Sequence, residues 1–291
     1  MDILMLKNHP LALFSRGRVL LRMFLSIILL SCLLRGSAVS ETQNHLNQGF
    51  DDMYNLAFQN AHYEFAVWMK EHPDDPMGPA ADESAYLFSE FDRLGILDVE
   101  LFSDDQRFEH RKRPAPDIAA KTAFLERIGA AEKLADKILQ SVPNNAHSLF
   151  VKTLVYGLRS DYQGLIEKDD LAALVYSKRA GEFAKQTLAA DPTLYDAYLG
   201  VGVENYILGL KPAPVRWVLH LAGAETNKME GLQQLQLTAE KGNYLAPFAR
   251  LLLAVAAIRD HQILRAKELL TNLHHQYPGN TLYYRELVRL H

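Results

Sequence analysis

Cysteine is nearly missing from this sequence: Cys32 is the only one among 291 residues. An internal disulfide is therefore excluded, as are thiolate-based zinc sites and a cysteine nucleophile in the body of the chain. An exported protein of this composition has to be held by packing alone, which suits a bacterial periplasm better than a small secreted domain. Strand signals are missing as well, since no stretch alternates apolar and polar residues between Asn-Gly or Asp-Gly turns. Catalytic signatures are equally scarce. There is no His-Glu-x-x-His, no Gly-x-Ser-x-Gly and no phosphate-binding glycine loop with lysine. Paired acids at Asp74-Asp75, Asp104-Asp105 and Asp169-Asp170 sit beside predicted turns, where carboxylates serve as helix caps. His274 and His275 point about 100 degrees apart on a helix and cannot both face one ion. No catalysis, cofactor or metal is expected; an enzyme whose site is assembled from distant residues stays as a remote alternative.

Basic charge is also thin in the body. The first 40 residues hold five of the 31 Lys and Arg but one of the 35 acids, so the remainder has 26 basic against 34 acidic residues. Nucleic acid is therefore not the expected partner, because phosphate binding needs a concentrated basic face and His110-Arg111-Lys112-Arg113 is a short cluster in a loop-like stretch.

What the first 40 residues do have is the pattern of a signal peptide. Lys7, Arg16, Arg18 and Arg22 precede an apolar run from Met23 to Leu34, and Ala38-Val39-Ser40 offers small residues for cleavage. The run is short of the roughly 20 residues a membrane span takes. Cleavage after Ser40 is expected, with retention as an anchor the alternative. Leu29-Leu30-Ser31-Cys32 also resembles a lipoprotein cleavage box, although Leu33 and Leu34 continue the apolar run where polar residues normally follow. A membrane is thus expected to matter only through the leader or a lipidated Cys32.

Beyond the leader, 48% hydrophobic and 23% charged residues are enough for a sizeable core. Its organisation shows best between Pro247 and Pro278, where small Ala254 and Ala266 and then Pro278 follow at steps of twelve, with Leu270 and Leu273 at helical spacing. Small residues let two helix axes approach closely, bulky ones fill the seam, and proline ends the second helix. The same steps recur at Gly49, Ala61, Pro73 and at Ala119, Ala131, Pro143, with a degraded copy at Lys168, Ala180, Pro192. In these residues the chain resembles the tetratricopeptide repeat family, whose units are helix pairs of roughly 34 residues ending near a proline. The resemblance implies an all-α solenoid of about four to five helix pairs in a single array over residues 41–291, with hairpins near 42–73, 78–94, 117–143, 146–192, 194–241 and 247–278. It also implies a concave face, lined by the first helix of each pair, that holds a protein or peptide. The intervals from Pro143 to Pro192 and from Pro192 to Pro278 are not whole repeats, so insertions are expected there.

Along the chain, Tyr54, Phe58, Tyr63, Phe65 and Trp68 make the first hairpin rich in aromatics, read here as core. Ala80 to Leu94 reads as a helix ended by Gly95, and 98–116 as a long loop. Asp117 caps a helical stretch to Gln140; helices follow from Ala146, from about Asp169, and from Met229, and Thr281 to His291 closes the array. The least repeat-like part is Tyr195 to Trp217. Gly200, Gly202 and Gly209 there imply close approach of a neighbouring helix, and Pro212 and Pro214 break the chain. Glu204, Asn205 and Tyr206 interrupt this apolar stretch. Together with Trp217 they are the candidate partner-binding residues: Asn205 offers a donor and an acceptor, Glu204 can receive a basic group, and Tyr206 or Trp217 gives a flat apolar contact. The alternative is structural, a buried Glu204 paired with Arg216. Function is read accordingly as an exported protein- or peptide-binding module, periplasmic or secreted, with a lipid-anchored envelope scaffold as the alternative.

Overall fold

The computed structural model describes residues 45–96, 115–209 and 227–290. The leader with Cys32, most of the 98–116 loop, and Lys211 to Trp217 lie outside the described residues.

Among the described residues the regular structure is helical, with eleven α-helices and no strand. They are α1 (45–54), α2 (Phe58–Glu71), α3 (Met77–Leu94), α4 (Ile118–Ser141), α5 (Ala146–Asp161), α6 (Asp170–Ala190), α7 (Tyr198–Gly209), α8 (Lys228–Lys241), α9 (Ala246–Arg259), α10 (Ile263–Gln276) and α11 (Thr281–Arg289). Neighbours pack in pairs, α1 with α2 through to α9 with α10, and α11 lies on α10. None of these helices is long and apolar enough to cross a membrane.

The second helix of each pair carries the small residue of the spacing rule on its buried face: Ala61, Ala131, Ala180 and Ala266. A fifth member, Gly231 on α8, was hidden because Asn243 rather than proline stands twelve residues on. Pro73, Pro143, Pro192 and Pro278 each sit in the turn that follows such a helix, where a missing N–H costs nothing. The first-position residue holds only in the end pairs. Gly49 and Ala254 lie on α1 and α9, and a Cβ on Gly49 would stand 2.3 Å from the Phe65 ring. In both pairs the turn comes five residues before the alanine, at Leu56 (φ 61°) and His261 (φ 57°), and closes with matching backbone bonds. Elsewhere the twelve-residue step misleads. Ala119 is an exposed residue of α4 itself and Lys168 lies in the connection before α6.

Two expected hairpins are therefore corrected. Residues 117–143 form one 24-residue helix, capped by the Asp117 carboxylate accepting from Ala120 N–H, because Gly129 is exposed and nothing else breaks the run. Residues 78–94 are likewise a single helix, and the two pack on each other as one pair.

The first and second helices of the pairs differ in kind. On α2 only Ala61 and Phe65 are fully buried, and on α4 only Phe124, Ile128, Ala131 and Ala135, the stripe of an amphipathic helix. By contrast, residues 76–85 around the start of α3 and 148–155 of α5 are buried without a break, and most of α9 is too. A helix buried on every side needs neighbours on every side. For α3 part of that cover comes from both ends of the chain, since Phe88 packs against Tyr54 of α1 and Phe248 of α9.

The end pairs accordingly meet. Phe50 packs on Tyr244, and Tyr54 on Tyr277; the Tyr54 hydroxyl donates to Tyr244 O at 2.9 Å. Asn280 Nδ2 donates to Tyr54 O at 2.8 Å, its Oδ1 caps α11 by accepting from Leu282 N–H, and Gly279 N–H donates to Asn55 Oδ1. The separations in sequence run from 190 positions for Tyr54 and Tyr244 to 226 for Tyr54 and Asn280. The twelve-residue rule carried no trace of this contact.

Two substitutions test the packing. Ala266→Leu should cost about 1 to 3 kcal/mol by forcing α9 and α10 apart. Asn280→Ala should cost about 1 to 3 kcal/mol through the lost cap and the unpaired buried Tyr54 carbonyl, read in urea melts. Unchanged midpoints would refute the register of the last pair and the end-to-end contact respectively.

Candidate functional site

Three of the four sequence-selected residues, Glu204, Asn205 and Tyr206, sit on α7, between α6 and α8. This crossing is as close as its glycines imply: a Cβ on Gly231 would lie 2.5 Å from Tyr206 N and 2.8 Å from Gly202 O. The polar side chains face apart. Asn205 is 1% exposed and its Nδ2 donates to Gln234 Oε1 on α8 at 2.9 Å. Glu204 turns to α6, where its carboxylate lies over Gly181 and comes within 3.8 Å of Lys185 Nζ. Tyr206 is buried beside the α8 backbone. Trp217, and Arg216 as the alternative partner of Glu204, lie outside the described residues. Asn205 and Tyr206 thus stand inside helix contacts, and only Glu204 of the three borders the surface. The expected concave face is corrected too, because the first helices α3, α5 and α9 are packed in rather than open to an extended peptide.

A second polar group lies between α3, α4, α5 and α6. Glu132 of α4 takes Lys152 Nζ at 3.2 Å on one oxygen and Arg159 Nη2 on the other, while Lys152 also meets Asp136 at 2.8 Å. Lys152 is only 5% exposed; burial works against its charge, but Asp136 and Glu132 outweigh that and hold its ammonium above the usual lysine value. The cations also lie on aromatic rings. Lys152 stands 5.4 Å over Tyr156 and 5.6 Å over Phe183, and Arg159 lies over Tyr156 and Tyr176. Nearby on α3, Glu83 is fully buried, and burial pushes its carboxyl well above the usual range. At the end of α5, burial pushes Asp161 up to about 7. These residues were not singled out from the sequence. Their signal was a polar triplet, Asp82-Glu83-Ser84, between small apolar residues, and a lone lysine in Leu-Phe-Val-Lys-Thr-Leu-Val.

The same α6 presents an apolar stripe outward. Leu171, Leu174 and Val175 are 80%, 55% and 66% exposed at helical spacing, and exposed Lys178 and Arg179 follow in the next turn. The cation and ring cluster of Tyr156, Phe183 and Arg179 adjoins that turn, with Arg179 5.9 Å from each ring. Other exposed apolar residues, such as Leu264, stand more singly. Among the described residues no group of three or more His, Cys, Asp or Glu side chains could hold a metal ion.

The α7 geometry predicts stability effects for its residues. Asn205→Ala should cost about 1 to 3 kcal/mol by emptying a buried position and removing its bond to Gln234. Gly231→Ala should cost a similar amount, since its methyl has backbone in its way. Melting temperatures equal to the parent protein's would contradict both contacts. No protein-family model, curated protein or solved structure matches the chain.

Proposed function

We propose that the protein is an exported, tetratricopeptide-like binding module of the cell envelope that takes a protein or peptide partner on the outward face of α6. The observation that carries this is the exposed stripe Leu171, Leu174 and Val175 running into Lys178 and Arg179. Single exposed apolar residues are ordinary, but three on one helical face beside arginine and tyrosine have the composition of interface anchors. The charge that follows the stripe favours a partner segment with apolar residues at matching spacing and acidic residues at one end. Export rests on the basic leader, the apolar run from Met23 to Leu34 and Ala38-Val39-Ser40. The scaffold alternative rests on the box ending at Cys32. The mass of the mature protein separates the two: a chain starting at Glu41 supports the soluble module, and a diacylated Cys32 supports the tethered scaffold.

A photoreactive residue at position 174 should give one adduct of discrete mass in an envelope extract, and the same residue at exposed position 264 should give none. Leu171→Asp should abolish that adduct while changing stability by no more than about 0.5 kcal/mol, as surface substitutions usually do. Lys178→Glu should weaken capture about tenfold at low salt and less at high salt, since exposed charges are screened. A folded protein that gives no adduct at 174 would refute the docking face.

A further inference from the structure

Five carboxylic acids are buried among the described residues: Asp82, Glu83, Glu90, Asp196 and Glu286. Four of them are hydrogen-bonded. Asp82 takes His62 Nδ1 and Arg127 Nε, each at 2.5 Å; Glu90 takes Arg93 and the Asp117 N–H; Asp196 accepts the backbone N–H groups of Asn243, Tyr244 and Leu245; Glu286 takes Arg289. Glu83 is the exception. It is 0% exposed, and neither carboxylate oxygen has a hydrogen-bond partner.

The groups around it explain why no cation neutralises it. From α5 the charge that acts on it is Arg159, which is already engaged by Glu132. Glu132 itself, from α4, acts on Glu83 as a like charge. Lys152 of α5 is held by Glu132 and Asp136; Arg127 of α4 and His62 of α2 are both held by Asp82. From α1 and α9 the contacts on α3 are aromatic, through Tyr54 and Phe248 on Phe88. An ionised Glu83 would be a charge without solvent or donor, with Arg159 shared with Glu132 as the cation acting on it, a state that buried acids avoid by keeping a proton.

We propose that Glu83 is a proton-binding site, carried as the neutral acid in the folded protein at neutral pH, whose ionisation loosens α3 from α4 and α5. On ionisation the carboxyl O–H bond breaks, the proton passes to water and the negative charge stays on the carboxylate, beside Glu132. The folded chain holds a proton that the unfolded chain gives up at the ordinary glutamate value of about 4.3. Stability from this site is therefore full at acid pH and falls as pH rises through the window above that value.

The test compares Glu83 with Glu83→Gln, which imitates the neutral acid, both in an Asp161→Asn background to remove the acid that burial pushes up to about 7. As pH rises above the ordinary glutamate value, the folding equilibrium of the Glu83 protein should weaken relative to the Gln protein, by no more than about tenfold per pH unit, the slope of one proton. At the alkaline end the Gln protein should also show slower amide exchange in 80–87 and 151–155. Parallel stability curves, or a Gln protein weaker at every pH, would mean that Glu83 is ionised and paired, and would overturn the proposal. If the Gln protein does not fold, the infrared spectrum of the Asp161→Asn protein decides. A carboxylic-acid carbonyl band persisting at neutral pH supports the proton site, and its absence refutes it.

Discussion

The arrangement depends on three inner stretches, the start of α3, 148–155 of α5 and most of α9, that have no side to give to water. Around the start of α3 the buried run includes Met77, Gly78, Pro79, Ala80 and Ala81, and α5 buries Ser148 to Val155 without interruption. Such helices are stable only when covered all round, and amphipathic α2, α4 and α6 can each cover one side. The remaining cover of α3 has to come from elsewhere. Tyr54 and Phe248 supply it, which brings the beginning and the end of the chain together.

That dependence explains what could be read from sequence. A stripe repeats locally, so the helix pairs and their small residues at Ala61, Ala131, Ala180 and Ala266 were legible, as were the caps at Asp117 and Asp169. The twelve-residue step was legible only where the connecting turn is tight, at Leu56 and His261; with the longer connections before α4 and α6 it landed on Ala119 and Lys168. Contacts between α1 and α9 to α11 leave no periodic mark, since Tyr54, Asn280 and Tyr277 carry no spacing relation to each other. The candidate site was legible in part. Asn205 and Glu204 were rightly seen as polar residues in an apolar helix, but their direction depends on which neighbours flank α7, and Gly231 was not visible as the close one.

Charge inside this packing follows one rule with one exception. Buried acids are placed where backbone N–H groups, arginine or histidine can reach them; Asp196 satisfies three N–H groups at the start of α9 even though burial raises its carboxyl. The acid at 83 sits where the local cation is already committed. Its position in an inner helix makes it sensitive to the fit of α3, α4 and α5 together rather than to any one pair.

The meeting of the chain's ends also orders events in time. Tyr54 and Phe50 are made early, while their partners Tyr244, Tyr277 and Asn280 follow some 200 residues later. At usual synthesis rates that interval is on the order of ten seconds or more, during which Phe50 and Tyr54 have Phe65 and Phe88 beside them but not their late partners. Closing contacts of such long range is also slow, because the loop entropy is lost before the contacts form. The nascent chain therefore keeps the part of α1 that meets Tyr244 and Tyr277 open until those residues emerge, and a ribosome stalled before Tyr244 would hold it open.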